Sequence, residues 1–311
     1  MTSVLNLFQT ALELGLISSL TVLALFLSYS MLNICDLSTD GCFTLGACVG
    51  SVVALSGHPL LAVPAAMFAG MLSGLITAIL QTRMGIDSLL SGIAVNTALY
   101  SVNIAIMGGS SILNLNKAAT IFTLSRDMTE GTVLKPFNRL IVIVLVVALV
   151  VIFLSLFLRT RFGLALRATG SNPDMVKSSS INTVMIITAG LCISNSFTAL
   201  SGCLLAAMQK SANIDIGSGM LTVALASLLI GRTFIGKGKI PVRALGAVAG
   251  AFAFRLVYTV ALRFNMPAFL LKLVSSVIVI LAIFVPYMKE RIPEMRRRAA
   301  HRSGKGEAPN A

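Results

Sequence analysis

Long apolar runs separated by short polar stretches dominate this chain, and they restrict it to one fold class. Seven runs are long enough to cross about 30 Å of hydrocarbon as helices. They cover residues 12–33, 60–80, 88–107, 140–158, 183–208, 240–262 and 268–287. Two shorter runs, 42–55 and 216–230, are entered through sequence that contains Asp and Gly. With 56% hydrophobic and 11% charged residues, the chain is too apolar for a soluble protein of its length. The sequence predicts an all-α polytopic membrane protein of about nine transmembrane helices, two of them short and broken.

The domain organisation follows from the same pattern. No polar stretch is long enough to form a separate soluble domain, so residues 1–288 are predicted to be one transmembrane domain. Residues 289–311 form a basic tail, which we expect to be partly disordered and to contact anionic lipid in the cytoplasm. The net charge of +13 is concentrated in loops and in this tail. The positive-inside rule explains that placement, so membrane lipid rather than nucleic acid is the expected partner.

Motifs for catalysis or metal binding are missing from the sequence. The five cysteines lie in or beside apolar runs without C-x-x-C spacing, and the two histidines form no ligand pattern. The glycine-rich residues 231–239 lack the G-K-[ST] ending of a phosphate loop. We therefore expect neither enzyme activity nor a metal or cofactor bound by this chain.

The placement of Lys and Arg predicts the orientation. The first 82 residues contain neither, whereas residues 159–182, 232–243 and the tail are basic. Nine crossings put those three segments on one side, which is the cytoplasm, and put the N-terminus and the loop 108–138 outside. The four crossings before the fifth run then oppose the four after it, which is the topology of an inverted repeat. A short echo between residues 36–43 and 215–220, ahead of the two short helices, agrees with it.

Residues 159–182 form a basic, polar segment between two apolar runs. Asn172 is a good N-cap, Pro173 suits the first helical position and Asp174 complements the helix dipole, so a short helix should begin at Pro173. That helix is expected to carry Met175 and Val176 outward beside Lys177. An exposed apolar patch with a basic rim favours docking to a cytoplasmic partner, and the alternative is a helix lying on lipid headgroups.

Several polar residues interrupt the membrane-spanning sequence, and an ionised carboxylate facing lipid costs about 2.5–3.5 kcal/mol on insertion scales. Asp36, Ser38 and Asp40 either line a solute path or cap a turn before the next helix. Arg255 has two possible roles. It binds an internal partner or a carboxylate-bearing solute, or its side chain extends to the membrane interface. For Lys272 the second role is expected.

Uncharged polar groups offer a second set of candidates. Asn96, Tyr100 and Asn103 share one face of a helix. They, together with Asn195 on a later helix and Asp215 before the second short helix, either line a path or bond packed helices to each other.

Two sequence motifs stand out. The first comprises Gly163, Leu166, Arg167, Ala168, Gly170, Asn172, Pro173, Ile181 and Asn182. The second comprises Asn33, Leu37, Ser38, Gly41, Leu45, Gly46 and Ala47. In both motifs the chain resembles bacterial permease subunits of ATP-driven (ABC) importers for branched-chain amino acids, ribose and nucleosides, and the resemblance extends over about residues 15–284. The chain departs from the first motif at Val176, Lys177 and Ser180, which changes the detail of the coupling surface.

The resemblance implies a function and a set of partners. It implies a permease subunit of an importer, located in the bacterial cell membrane, that forms a homodimer, couples to two copies of a cytoplasmic ATPase and receives solute from an extracytoplasmic binding protein. ATP and magnesium would then be bound by the ATPase. The coupling residues would be Arg167, Gly170, Asn172, Pro173, Asp174, Met175, Val176 and Lys177. Residues 87–103 look like a subgroup linked to aromatic amino-acid uptake. The alternative is a secondary transporter driven by an ion gradient, which has no use for a coupling segment.

Overall fold

A computed structural model describes residues 2–116, 118–128, 138–235, 239–263, 273, 276–281 and 284, and the structural statements below concern these residues. In chain order the helices are α1 (Thr2–Leu25), a π-helix (Phe26–Met31), α2 (Thr39–Leu55), α3 (Pro59–Thr82), α4 (Ser88–Ile106), α5 (Ile121–Met128), α6 (Asn138–Phe157), α7 (Arg161–Ser171), α8 (Pro173–Ser178), α9 (Thr183–Gln209), α10 (Met220–Ile235) and α11 (Ile240–Arg263). Two short strands, β1 (Ile112–Asn114) and β2 (Ser211–Asn213), pair antiparallel.

This architecture confirms the predicted all-α polytopic membrane fold. Six described helices are long and apolar enough to span a membrane, and α2 and α10 are the two shorter apolar helices that the sequence indicates. The predicted last crossing, 268–287, lies largely outside the described residues, as do Lys272 and the tail 289–311. The π-helix, α5, α7 and the β1–β2 ribbon were not predicted.

Helix boundaries follow from local chemistry. Asp87 and Asn182 cap α4 and α9, because their side chains accept hydrogen bonds from the backbone N–H groups of Leu89 and Met185. Pro59 occupies the first position of α3, where a missing N–H has no cost. The start of each of these three helices is therefore set by a capping side chain or by proline.

Helix α9 lies at the centre of the bundle and packs against α1, α2 and α3. Gly70 and Gly74 of α3 lie directly on the α9 backbone, where a Cβ would collide, as the small-residue spacing indicates. Buried hydroxyl groups add hydrogen bonds between helices: Ser194 Oγ donates to the Ala24 carbonyl at 2.8 Å and Ser201 Oγ to the Ile17 carbonyl at 2.7 Å. By contrast α6 is apolar on all sides and mostly unburied, as expected of a helix that faces lipid.

The two short helices begin at the same place and run to opposite ends of the bundle. Ala54, at the end of α2, packs near Leu115, which follows β1. The last turn of α10, which contains Arg232, packs instead against the first half of α11, where Gly231 lies against the Gly246 carbonyl. Such a pair of opposed short helices, of 17 and 16 residues, is what an inverted repeat requires.

Candidate functional site

A single carboxylate joins the starts of α2 and α10. Asp40, in the first turn of α2, accepts hydrogen bonds from the backbone N–H of Gly219 at Oδ2 (2.9 Å) and of Leu221 at Oδ1 (2.7 Å). Gly217 lies so close to the carbonyl oxygen of Asp40 that a Cβ there would collide with it. Because a helix N-terminus carries partial positive charge, one carboxylate compensates the N-terminal dipoles of both short helices.

A cavity of about 330 Å³ opens beside this junction. Its lining comprises Asp40, Gly41, Thr44, Asn96, Thr97, Tyr100, Asn103, Ile214, Asp215 and Ser218. The structure therefore brings together five of the residues that the sequence indicates for a solute path. Thr44, Thr97 and Ser218 were missed. Thr44 follows Asp40 by one helical turn and Thr97 precedes Tyr100 by three positions, so both were recognisable from spacing.

The polar face of α4 is only partly covered by the rest of the described chain. Tyr100 is 54% exposed and Thr97 is also exposed, while Asn103 is buried and donates its amide to the Gly41 carbonyl at 3.2 Å. The Asn103 Oδ1 atom is buried without a hydrogen-bond partner among the described residues. Polar side chains at membrane depth face protein or a water-filled cavity rather than lipid. The α4 face has the composition of a path lining.

A second cavity, of about 580 Å³, lies on the other side of the turn that precedes α10. It contains both Asp215 and Arg255, and Asp215 lines the first cavity as well. Arg255 lies over the ring of Tyr258, 5.5 Å from its centroid, and the Nε atom of Arg255 has no hydrogen-bond partner in the described part of the chain. A cation, an anion and aromatic surface from Phe254 and Tyr258 therefore share one cavity.

Asp36 lies in the interior instead. It is 1% exposed; Oδ1 accepts hydrogen bonds from the Ser38 N–H (2.8 Å) and Ser38 Oγ (2.6 Å), and Oδ2 accepts one from Asn195 Nδ2 (2.8 Å). Asn195 and Ser38 are buried too. These bonds hold the chain between the π-helix and α2 against α9. The geometry favours a structural role for Asp36, Ser38 and Asn195 over direct contact with a solute. For Asp36 this is the capped turn that the sequence left as one of two alternatives.

The helix predicted at Pro173 is present as α8. Asn172 caps it by accepting the Met175 N–H at 3.1 Å, Pro173 stands at its start and Lys177 forms an ion pair with Asp174 at 3.5 Å. Met175 is 68% exposed, as expected. The expectation that Val176 is also exposed is wrong, because Val176 is 4% exposed. A helix of one and a half turns directs consecutive residues to different faces, so only Met175 forms the apolar projection.

A second helix, α7, precedes α8 and touches the membrane-spanning part. Thr160 caps it by accepting the Gly163 N–H at 3.2 Å, a signal that the sequence contained and that was missed. Gly170, near its end, lies on the backbone of Met31 and Leu32, where a Cβ would collide with the Met31 carbonyl. Leu32 is separated by a short stretch of chain from Ser38, which immediately precedes α2. The segment 159–182 is therefore in contact, through Gly170, with the chain that leads into Asp40.

Comparison with known proteins agrees with this geometry. A protein-family model described as "Branched-chain amino acid transport system / permease component" matches residues 7–284. The tyrosine transport system permease protein of Clostridioides difficile (strain R20291) is 32% identical over 267 residues, which cover 86% of this chain and 86% of that protein. The ribose import permease protein of Escherichia coli (strain K12) is 25% identical over 262 residues, or 82% of this chain and 78% of that protein. No solved structure matches the chain.

The family match spans nearly the whole chain, including α2, α4, α7, α8 and α10. It agrees with the apolar helices of a multi-pass membrane protein and with a transport subunit. This chain belongs to the family of permease components of branched-chain amino acid transport systems.

Proposed function

We propose that this chain is the membrane subunit of an ATP-driven importer that carries an amino acid, works as a homodimer and couples through α7 and α8 to two copies of a cytoplasmic ATPase. The ATPase binds ATP and magnesium. The observation that carries the proposal is the contact of Gly170 with Met31 and Leu32, since it links the segment expected to meet the ATPase with the segment that leads to Asp40.

The coupling route has three steps. ATPase movement shifts Met175 and hence α7–α8; Gly170 transmits the shift to the end of the π-helix; and the chain 32–38 transmits it to Asp40. Asp40 holds the N-terminus of α10 through two hydrogen bonds, so α2 and α10 move together. Because packed elements shift between discrete arrangements, this supports rigid-body alternating access around the junction.

The solute proposal rests on the cavity shared by Asp215 and Arg255. An amino acid carries a carboxylate and an ammonium group, which match a guanidinium and a carboxylate respectively. Phe254 and Tyr258 offer aromatic surface to an apolar or aromatic side chain. The name of the tyrosine permease relative points to the same class of solute.

The homodimer proposal rests on α4. Its polar face, with Thr97 and Tyr100 exposed, would meet lipid if the chain were alone. A second copy facing it would enclose the 330 Å³ cavity and form a path between two subunits.

The extracytoplasmic binding protein is proposed to dock at the end opposite α7, which we place outside together with the N-terminus. A cavity of about 590 Å³ lies there, lined in part by Arg126, Arg139 and Lys210. The same lining includes one carboxylate, that of the buried Glu13, so cations outnumber anions and the surface suits an acidic partner.

Co-purification tests the proposed function. The tagged permease, in wild-type form and as Met175→Asp, is extracted from its native membrane and the accompanying chains are identified by mass spectrometry. Met84→Asp is the matched control, because Met84 is equally exposed (65%) and follows α3 at the same end of the bundle. We expect an ATPase with wild type and with Met84→Asp, and little with Met175→Asp.

Two results would contradict this expectation. If wild type purifies alone and transports tyrosine after reconstitution with an ion gradient and no ATP, the chain is a secondary transporter. If the ATPase co-purifies equally with Met175→Asp and with Met84→Asp, α8 is not the coupling helix. Labelled tyrosine uptake by the reconstituted complex, with and without ATP, tests the solute separately from the coupling.

A further inference from the structure

Arg243 of α11 is held against the π-helix in an unusual position for a basic residue near a membrane boundary. Its Nη2 donates to Ser30 Oγ at 3.0 Å, and its guanidinium carbon lies 5.6 Å from the centroid of the Phe26 ring. Both contacts belong to the π-helix. The side chain is therefore folded back onto protein rather than extended toward water.

Two further arginines lie on the elements packed around Arg243. Gly231, which precedes Arg232 on α10, lies against the Gly246 carbonyl of α11, about one helical turn beyond Arg243. Gly170 of α7, about one helical turn beyond Arg167, lies against the carbonyl of Met31, the neighbour of Ser30. Arg167 Nε is buried and has no hydrogen-bond partner among the described residues. Within the same described ranges, no carboxylate forms an ion pair with any of the three. Like charges repel, so an anion bound between the three arginines would be stabilised by all of them.

The residues and helix end around Arg243 strengthen the positive potential there and indicate what kind of anion would bind. Arg243 stands in the first turn of α11, where the helix dipole adds partial positive charge. Val242 and Leu245, next to it on α11, are exposed apolar residues on a helix that spans the membrane. An anion bound here would have its charged group at the arginines and apolar surface beside it.

We propose that Arg167, Arg232 and Arg243 form a binding site for the phosphate of an anionic phospholipid, with the acyl chains lying along Val242 and Leu245. Guanidinium groups bind phosphate through paired, charge-assisted hydrogen bonds. Basic pockets between transmembrane helices are typical places for such headgroups. Since the three arginines come from α7, α10 and α11, the bound phosphate would hold the coupling segment against the helix whose start is bonded to Asp40.

Lipid titration of the purified permease, read out by native mass spectrometry, tests this site. Phosphatidylglycerol and phosphatidylcholine are added separately to wild type, Arg243→Gln and Arg167→Gln. Arg161→Gln is the matched control, because Arg161 is exposed on the same helix as Arg167 and its loss removes the same charge. We expect phosphatidylglycerol affinity to fall about tenfold in Arg243→Gln and Arg167→Gln. Arg161→Gln and phosphatidylcholine binding should not change.

A competition experiment distinguishes a bound lipid from a bound soluble phosphate. Glycerol 3-phosphate is added as a competitor: if it binds as tightly as phosphatidylglycerol, the occupant is a soluble phosphate and the lipid proposal is overturned. The proposal also fails if Arg161→Gln weakens binding as much as Arg243→Gln, or if phosphatidylglycerol binds no better than phosphatidylcholine. Arg243→Lys keeps the charge and should retain most binding, and size-exclusion profiles identify any variant that misfolds.

Discussion

Asp40 Oδ1 accepts a 2.7 Å hydrogen bond from the backbone N–H of Leu221, although the two residues begin helices that run to opposite ends of the bundle. The other carboxylate oxygen accepts the N–H of Gly219. Both carboxylate oxygens of Asp40 therefore bind the N-terminus of α10, while Asp40 itself lies in the first turn of α2. A single substitution at this junction should therefore disturb both short helices.

Asp40→Asn should weaken the junction, because Asn has one acceptor oxygen and its NH₂ group would face a backbone N–H. We expect the free energy of unfolding to fall by about 1–3 kcal/mol, measured by thermal unfolding in detergent. Asp87→Asn is the control: Asp87 accepts one N–H at an exposed N-cap, where Asn serves equally well. Equal melting temperatures for the two variants would contradict the bridging role.

Tyr100→Ala should reduce solute uptake about tenfold if the exposed face of α4 lines the path, because a polar contact worth about 1.4 kcal/mol is lost. Val102→Ala on the same helix, also exposed, should leave uptake unchanged. Labelled uptake at matched membrane abundance is the measurement. A larger loss in Val102→Ala than in Tyr100→Ala would place the path on another face.

Arg255→Gln tests carboxylate recognition in the larger cavity. Loss of a charged hydrogen-bonding partner should raise the KM for amino-acid uptake about 10- to 100-fold, with little change in protein abundance. Tyr258→Phe keeps the ring beneath the guanidinium and should have a KM near that of wild type. Normal uptake by Arg255→Gln would remove this residue from solute binding.

Gly170→Ala introduces a methyl group where α7 meets the Met31 carbonyl. We expect solute-stimulated ATP hydrolysis by the complex to fall at least severalfold while the ATPase still binds, since the added atom displaces α7 from the π-helix. Ser171→Ala, at the adjacent exposed position, is the control. If stimulation persists in Gly170→Ala, coupling does not pass through this contact.

Asn172→Ala removes the N-cap of α8 and should cost about 0.5–2 kcal/mol of local helix stability. ATPase binding, measured by pull-down titration, should weaken accordingly. Asn172→Asp restores a capping oxygen and should restore binding. A permease that binds the ATPase equally well in all three forms would show that α8 need not be preformed.

Most of the helical framework was predictable because burial in a bilayer demands long apolar helices, and caps such as Asn172, Asn182 and Asp87 have local signatures. The stripe of Asn96, Tyr100 and Asn103 was predictable for a similar reason, since helical spacing alone places them on one face. Thr160 shows that a cap is easily overlooked when the helix after it, α7, is only weakly apolar.

Long-range pairing was not predictable. Asp36 and Asp40 are four residues apart and chemically identical, yet Asp36 is bonded inside the protein to Asn195 and Asp40 to the start of α10. The placement of Asp215 and Arg255 in the lining of one cavity likewise depends on how α9, α10 and α11 pack. The exposure of Val176 was wrongly predicted because adjacent residues of a helix point to different faces, and tertiary packing decides which face of α8 is covered.

The β1–β2 ribbon connects residues through main-chain atoms, with additional bonds from the Ile214 N–H to the Ser111 carbonyl and from the Leu115 N–H to the Lys210 carbonyl. Such bonds do not depend on side-chain identity, but they depend strictly on spacing. Substitutions within Ile112–Asn114 should therefore be well tolerated over evolution, whereas a single inserted or deleted residue would slip the register and pull on the turn that holds Gly219 against Asp40. Evolution should therefore conserve the length of this ribbon rather than its residue types.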